Sequence, residues 1–186
     1  LVTRVVSVTD IYLTASGLDE ADKIRNYIRN YYQQHGIRYV LLAGDADADA
    51  AYYGGNMQVP DRKLYAESQS DRLYQEYIPS DLYYAALDGD WNADGDSRFG
   101  EPGEADLLPE LAVGRIPADN LTEIQNVIHK IIWHQTMPVV ADAKRVVLAG
   151  EKLWSDPLTY GSDYLELLIG PRSESGYTTQ GMPADL

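Results

Sequence analysis

The sequence predicts an α/β fold: a three-layer, mostly parallel sheet flanked by helices. Two observations lead there. Arg4–Val8 and Arg38–Ala43 are short, β-branched or apolar runs of strand length, and the segment between them has helical period. A strand, a helix of that length and a second apolar strand make a βαβ unit, whose crossover leaves the two strands parallel. In addition, 45% of the 186 residues are hydrophobic, ample for a core.

The elements follow in chain order. Arg4–Val8 is read as the first strand. Ile24, Tyr27, Ile28, Tyr31 and Tyr32 recur at helical spacing within Asp19–His35, and Gly36 stops that helix. Arg38–Ala43 is the next strand, closing on Gly44 and Asp45. The long polar stretch Ala46–Pro79, rich in Tyr, is an insertion of a size that meets a partner or carries its own hairpin. Leu82–Leu87, short and aromatic-rich, reads as a strand, and Leu111–Arg115 as another. Asp119 or Asn120 caps a helix whose first turn holds Glu123. Ile124, Val127, Ile128, Ile131 and Ile132 form its expected buried face, and Pro138 ends it. Lys144–Ala149 is a further strand before Gly150 and Glu151, and Asp163–Ile169 a last short helix. Residues 1–143 are then an N-terminal α/β subdomain with an inserted loop, 46–79, and an acidic loop, 88–106. Residues 144–186 supply the last strand and helix and lead toward a second half outside this sequence.

Charge narrows the function. Fifteen Lys and Arg against 29 Asp and Glu leave a formal charge of −14, which argues against nucleic acid or anionic membranes as partners and suits a cation-binding protein. With no cysteine, disulfides, thiolate metal sites and a cysteine nucleophile are all absent from these residues. No apolar run approaches membrane-spanning length and no signal peptide opens the chain. The start without Met and the stop after Met182-Pro183-Ala184-Asp185-Leu186 lead us to expect a piece of a longer protein.

The most specific motif is Asp90–Glu101, D-W-N-A-D-G-D-S-R-F-G-E, which fills every fixed position of the calcium-loop pattern D-x-[DN]-x-[DN]-G-x5-E. Asp90, Asn92 and Asp94 stand at positions 1, 3 and 5. Gly95 allows the sharp turn, Asp96 offers a backbone carbonyl, and Glu101 closes the site with two oxygens. The plain alternative is a solvated acidic turn. The flanks carry no EF-hand helices, since Pro102, Gly103 and Pro109 follow, so a structural clip is expected rather than a sensor.

Two strands end alike, in Ala43-Gly44-Asp45 and Ala149-Gly150-Glu151. Acids just past the carboxyl ends of parallel strands stand where such sheets build sites, so Asp45, Glu151 and Arg115 could share one edge. Helix capping is the competing role for both acids. His129 and His134 lie five apart and do not share a helix face as metal ligands would, and His35 suits a helix C-terminus. No G-x-S-x-G elbow and no phosphate-cradling glycine loop occurs.

Four segments together, Tyr39–Asp45, Ile78–Tyr84, Leu111–Pro117 and Gly150–Trp154, resemble the gingipain-type cysteine peptidases, secreted bacterial enzymes of the caspase-like clan. They occur in the family's order and span most of the chain. The resemblance implies the first half of a catalytic unit, whose catalytic His and Cys lie in a second half beyond Leu186, so that these residues alone are expected to be inactive. It also implies that Glu151 orients the catalytic His, that Asp163 (with Asp156 as rival) binds a substrate side chain, that Trp154 lines the same pocket or packs as core, and that calcium is bound. Leu158-Thr159-Tyr160-Gly161-Ser162 departs from the enzymes that cut after Arg, so that specificity does not carry over. The implied partners are a polypeptide substrate and the rest of the catalytic domain, at an extracellular location. Two other readings stand beside this one: a calcium-dependent adhesion module presenting the Tyr-rich loop, and a metal-assisted hydrolase holding its ion between Asp45 and Glu151.

Overall fold

A computed structural model of the chain describes residues 2–46, 58–69, 73–140, 145–174 and 177–182. They divide into two compact units, Leu1–Ile128 and His129–Leu186. Among the described residues no helix is long and apolar enough to cross a membrane.

The first unit is α/β. It opens with α1 (Val8–Thr14) instead of the expected strand over Arg4–Val8. Among the described residues no strand pairs with that run; Val5 is exposed, and the Ser7 hydroxyl accepts from the Thr9 N–H at 3.2 Å, starting a helix whose first turn carries Asp10. Helix α2 (Glu20–His35) forms as its spacing predicts. Asp19 caps it by accepting from the Asp22 N–H at 2.8 Å, and Gly36 ends it at φ 60°, a left-handed conformation that favours glycine. Its buried face is Ala21, Ile24, Arg25 and Ile28.

Strands β1 (Tyr39–Ala43) and β4 (Ala112–Ile116) pair in parallel, Tyr39 opposite Ala112 through Ala43 opposite Ile116. Leu42 is buried and, with partly buried Val40 and Val113, packs into the cluster that holds Ile24 and Ile28. Between these strands lie β2 (Arg62–Gln69) and β3 (Leu73–Ser80), an antiparallel hairpin within the stretch expected to be an insertion.

Leu82–Leu87 is not a strand. Leu82–Ala85 is a short helix, α3, started by the Ser80 hydroxyl, which accepts from the Leu82 N–H at 3.2 Å. Tyr83, Tyr84, Ala85, Ala86 and Leu87 are all buried, so the segment has no solvent face to set a period. Two buried cations organise this core. Among the described residues no carboxylate forms an ion pair with Arg25; its guanidinium donates to the carbonyls of Tyr83 at 2.9 Å, Ala86 at 2.8 Å and Gly89 at 2.9 Å, fixing the bend that enters the acidic loop. Arg62 forks onto Asp19 at 2.7 and 2.8 Å, with its guanidinium 3.9 Å from the Phe99 ring centre and 4.5 Å from that of Tyr83.

Helix α4 (Leu121–Thr136) begins with a two-sided cap: Asn120 Oδ1 accepts from the Glu123 N–H at 3.1 Å, while the Glu123 carboxylate accepts from the N–H of Asp119, one residue before the N-cap, at 2.9 Å. Its expected buried face is not buried. Ile124 and Val127 are half-buried, and Ile128, Ile131 and Ile132 are exposed, on a helix that crosses the junction between the units.

In the second unit, the expected strand over Lys144–Ala149 is replaced by irregular backbone from Arg145 to Gly150, with Lys144 outside the described residues. Strands β5 (Lys152–Ser155) and β6 (Leu158–Tyr160) form a hairpin instead. Helix α5 (Gly161–Leu165) and a 3-10 turn (Glu166–Leu168) take the place of the last predicted helix, and β7 (Arg172–Glu174) and β8 (Tyr177–Thr179) form a second hairpin.

Candidate functional site

The acidic loop grows from the buried end of α3. Trp91, at its second position, is 2% exposed and anchors the loop in the core, its ring edge-on to Tyr83. The Gly100 N–H donates to the Trp91 carbonyl at 2.8 Å, closing the loop on itself. A Cβ on Gly100 would meet the Trp91 ring at 3.2 Å, and its φ is +81°, so both space and backbone call for glycine. Between these anchors the acids turn the chain: Asp90, Asp94 and Asp96 each accept from the N–H two residues on, at 3.2, 3.1 and 2.6 Å.

This folding gathers oxygen. One carboxylate oxygen from each of Asp94, Asp96 and Glu101 lies within 4.8 Å of the others, while Asp90 stands outside that group. Asn92 donates from Nδ2 to the Asp96 carbonyl at 3.0 Å, and its Oδ1 is buried without a hydrogen-bond partner. An orphaned amide oxygen at position 3, beside three converging carboxylates, is the donor set a hard cation such as calcium takes. The flank before the loop is the four-residue helix α3, not the expected strand, and still no EF-hand pair. Glu104, beyond the pattern, supports the loop by accepting from the Ala93 and Asp94 N–H groups at 2.9 and 3.3 Å. Arg98 pairs with Glu101 at 3.2 Å.

A second carboxylate group, Asp88, Asp106 and Glu110, also lies within 4.8 Å. The Glu110 charge, with a hydrogen bond to Asp106, pushes the Asp88 carboxyl above its ordinary value. Asp106 and Glu110 are meanwhile used as backbone clips, accepting from the N–H groups of Gly89 and Leu87. The spacing of these three acids matches no motif. Glu110 arrives because its N–H bonds to the Ala85 carbonyl, a contact made only by the folded chain.

At the carboxyl edge of the β1–β4 pair, Arg115 is committed to structure. It forks onto Asp81 at 2.6 and 2.8 Å and donates to the carbonyls of Gly44 and Val59 at 2.9 and 2.7 Å. Asp45 stands on the same edge; its Oδ1 accepts from the Ala46 N–H at 2.7 Å and its carbonyl receives the Gln58 and Val59 N–H groups.

Glu151, in the second unit, is exposed directly ahead of β5, and its carbonyl accepts from the Gly161 N–H at 2.6 Å. Trp154 on β5 is 55% exposed and edge-on to Tyr164, with ring centres 6.5 Å apart, so it is not a core residue of that unit. Asp156 lies in the turn between β5 and β6, and Asp163 in α5. Of the histidines, His35 lies 4.2 Å from the Tyr31 ring centre at the end of α2, and His129 and His134 are exposed on α4.

The profile of peptidase family C25 matches residues 1–183. No curated protein matches the chain, and no solved structure matches it.

Proposed function

Because the chain belongs to peptidase family C25, a family of cysteine peptidases acting on polypeptides, we propose that it is the first subdomain of a secreted, calcium-stabilised cysteine endopeptidase. The observation that carries this reading is a family match over nearly the whole chain combined with a complete lack of cysteine. With no cysteine among these 186 residues, the nucleophile lies outside them; the resemblance assigns the His that activates it to the same missing half. In this reading residues 1–143 form the subdomain, 144–186 lead toward the catalytic half, and the sheet is completed to three layers in the intact protein.

Glu151 is the active-site residue supplied here. A carboxylate accepting from an imidazole N–H fixes the tautomer and favours the protonated ring, which stabilises the neighbouring thiolate that attacks the peptide carbonyl. The exposed carboxylate at the start of β5 is free to meet a partner in this way. Trp154, exposed two residues beyond the start of β5, and Asp163 are assigned to the substrate pocket, the first through apolar contact and the second as the acid that binds a substrate side chain.

Asp90, Asn92, Asp94, Asp96 and Glu101 are assigned to calcium. The ion would cross-link a loop already pinned by Trp91, at the millimolar calcium levels that extracellular modules use. The reaction does not run through it; the loop's own residues hold the subdomain's surface in shape.

The test compares two proteins on an unstructured polypeptide substrate. The 186-residue chain alone is expected to cut nothing, whereas the product of the continuous reading frame cuts it and is stopped by a thiol alkylator. Cleavage by the chain alone, or alkylator-resistant cleavage by the longer product, would overturn the proposal.

A further inference from the structure

Arg98 stands at the ninth position of the Asp90–Glu101 loop, where calcium loops commonly offer an oxygen through water. An arginine there cannot ligate a cation. Its Nη1 lies 3.2 Å from Glu101 Oε1, so it holds the residue that has to close the site with both oxygens. It is also stacked 5.1 Å from the centre of the Tyr65 ring on β2. That ring is fixed at both ends. The Tyr65 backbone N–H donates to the Phe99 carbonyl at 2.7 Å, and its hydroxyl donates to Glu67 at 2.9 Å. The guanidinium therefore has two seats already in contact: a carboxylate of the loop and an aromatic face of the hairpin with an acid at its far end.

Resting on the calcium reading above, we propose that Arg98 is the resident cation of the loop, exchanged for calcium at Glu101. Without the ion, Arg98 neutralises Glu101 and keeps the crowded carboxylates from repelling one another. With calcium bound, Glu101 would be free to offer the ion its oxygens. The guanidinium stays over Tyr65, where the ring face and Glu67 stabilise a cation. The exchange makes calcium compete with an internal charge, so Arg98 sets the affinity low, and it ties occupancy of the loop to the β2–β3 hairpin.

The experiment titrates calcium into the full chain and into its Arg98→Gln, Arg98→Lys and Asp94→Ala variants, by calorimetry and by fluorescence of the buried Trp91. Melting curves without calcium check that each variant folds. Arg98→Gln removes the competitor and is expected to bind about tenfold more tightly, since ligand and neighbour charge tune such loops over decades. Arg98→Lys, which keeps the charge, is expected to bind like the wild type. Without calcium, Arg98→Gln should melt lower than wild type; at saturating calcium the order should reverse. Unchanged or weaker binding by folded Arg98→Gln, with binding abolished in Asp94→Ala, would overturn the exchange and leave the calcium site standing. No binding by either wild type or Arg98→Gln would overturn the site and the exchange together.

Discussion

Replacing Arg62 by Ala removes a buried cation that joins Asp19 to two aromatic rings of the first unit. Its side chain is 10% exposed, forks onto Asp19, and lies over Tyr83 and Phe99. The Asp19 partner is 47% exposed, so it resolvates when the arginine leaves and most of the ion-pair energy is returned by water. What remains is packing. Two desolvated ring contacts contribute about 1 kcal/mol each, and the vacated volume beside Tyr83 and Phe99 adds about 1 kcal/mol. The expected loss is thus about 3 kcal/mol, lowering the melting temperature by about 10 °C in a unit of this size. Arg62→Met, which keeps the stem against the rings, should lose about half as much. The pair also has a pH signature. Burial raises the Asp19 carboxyl, but the hydrogen bonds from Arg62 and from the Asp22 N–H outweigh it, and the net shift is downward. A carboxyl held low when folded contributes stability above its unfolded pKa of about 3.9, and that contribution fades as pH falls through the folded value. Chemical denaturation from pH 7 to pH 2 should therefore show a shallower acid loss in Arg62→Met than in wild type. An Arg62→Ala loss below about 0.5 kcal/mol, the size of an ordinary surface change, would refute this account of the core.

Other consequences are open to direct measurement. Calcium should raise the melting temperature of the chain, and chelator should lower it again, because a ligand of the folded state stabilises by mass action; at a hundredfold excess over the dissociation constant the gain is about 2.7 kcal/mol. The same titration on Asp94→Ala should show no shift. Burial pushes the Tyr83 phenol up to about 12 and raises that of Tyr84 further. Ultraviolet titration should accordingly find phenols that resist ionisation at pH 11. Their raised values also mean stability is kept below the unfolded pKa of about 10 and lost as pH climbs past it. Full ionisation of the tyrosines by pH 11, with the fold intact, would contradict that burial.

How much the sequence disclosed depended on whether a signal was local. Helix α2 was legible because Ile24 and Ile28 repeat at helical spacing between a capping Asp19 and a left-handed Gly36. Strands β1 and β4 were legible as apolar runs, and Asn120 with Glu123 announced α4. Leu82–Leu87 was misread because burial on every side erases the alternation that separates strand from helix. Arg25 was hidden among polar residues, yet it falls on the stripe of Ala21, Ile24 and Ile28, and a cation on an apolar face was the available clue. In the loop the fixed positions were readable from the pattern. Arg98 and Glu104 were not, because a motif says nothing about its variable positions or about residues outside it. The Asp88–Asp106–Glu110 group exists only through the fold.

Steady-state kinetics of Glu151→Gln in the intact enzyme test the proposed His-orienting role of this carboxylate. If Glu151 has that role, the variant keeps an unchanged circular dichroism spectrum and kcat falls by about a hundredfold, a typical loss when acid–base support of a catalytic group is removed. The pH–rate profile should also narrow, its acid limb moving to higher pH and its alkaline limb to lower pH, because the imidazolium beside the thiolate is less favoured. Wild-type turnover with an unmoved profile would contradict the assignment of Glu151.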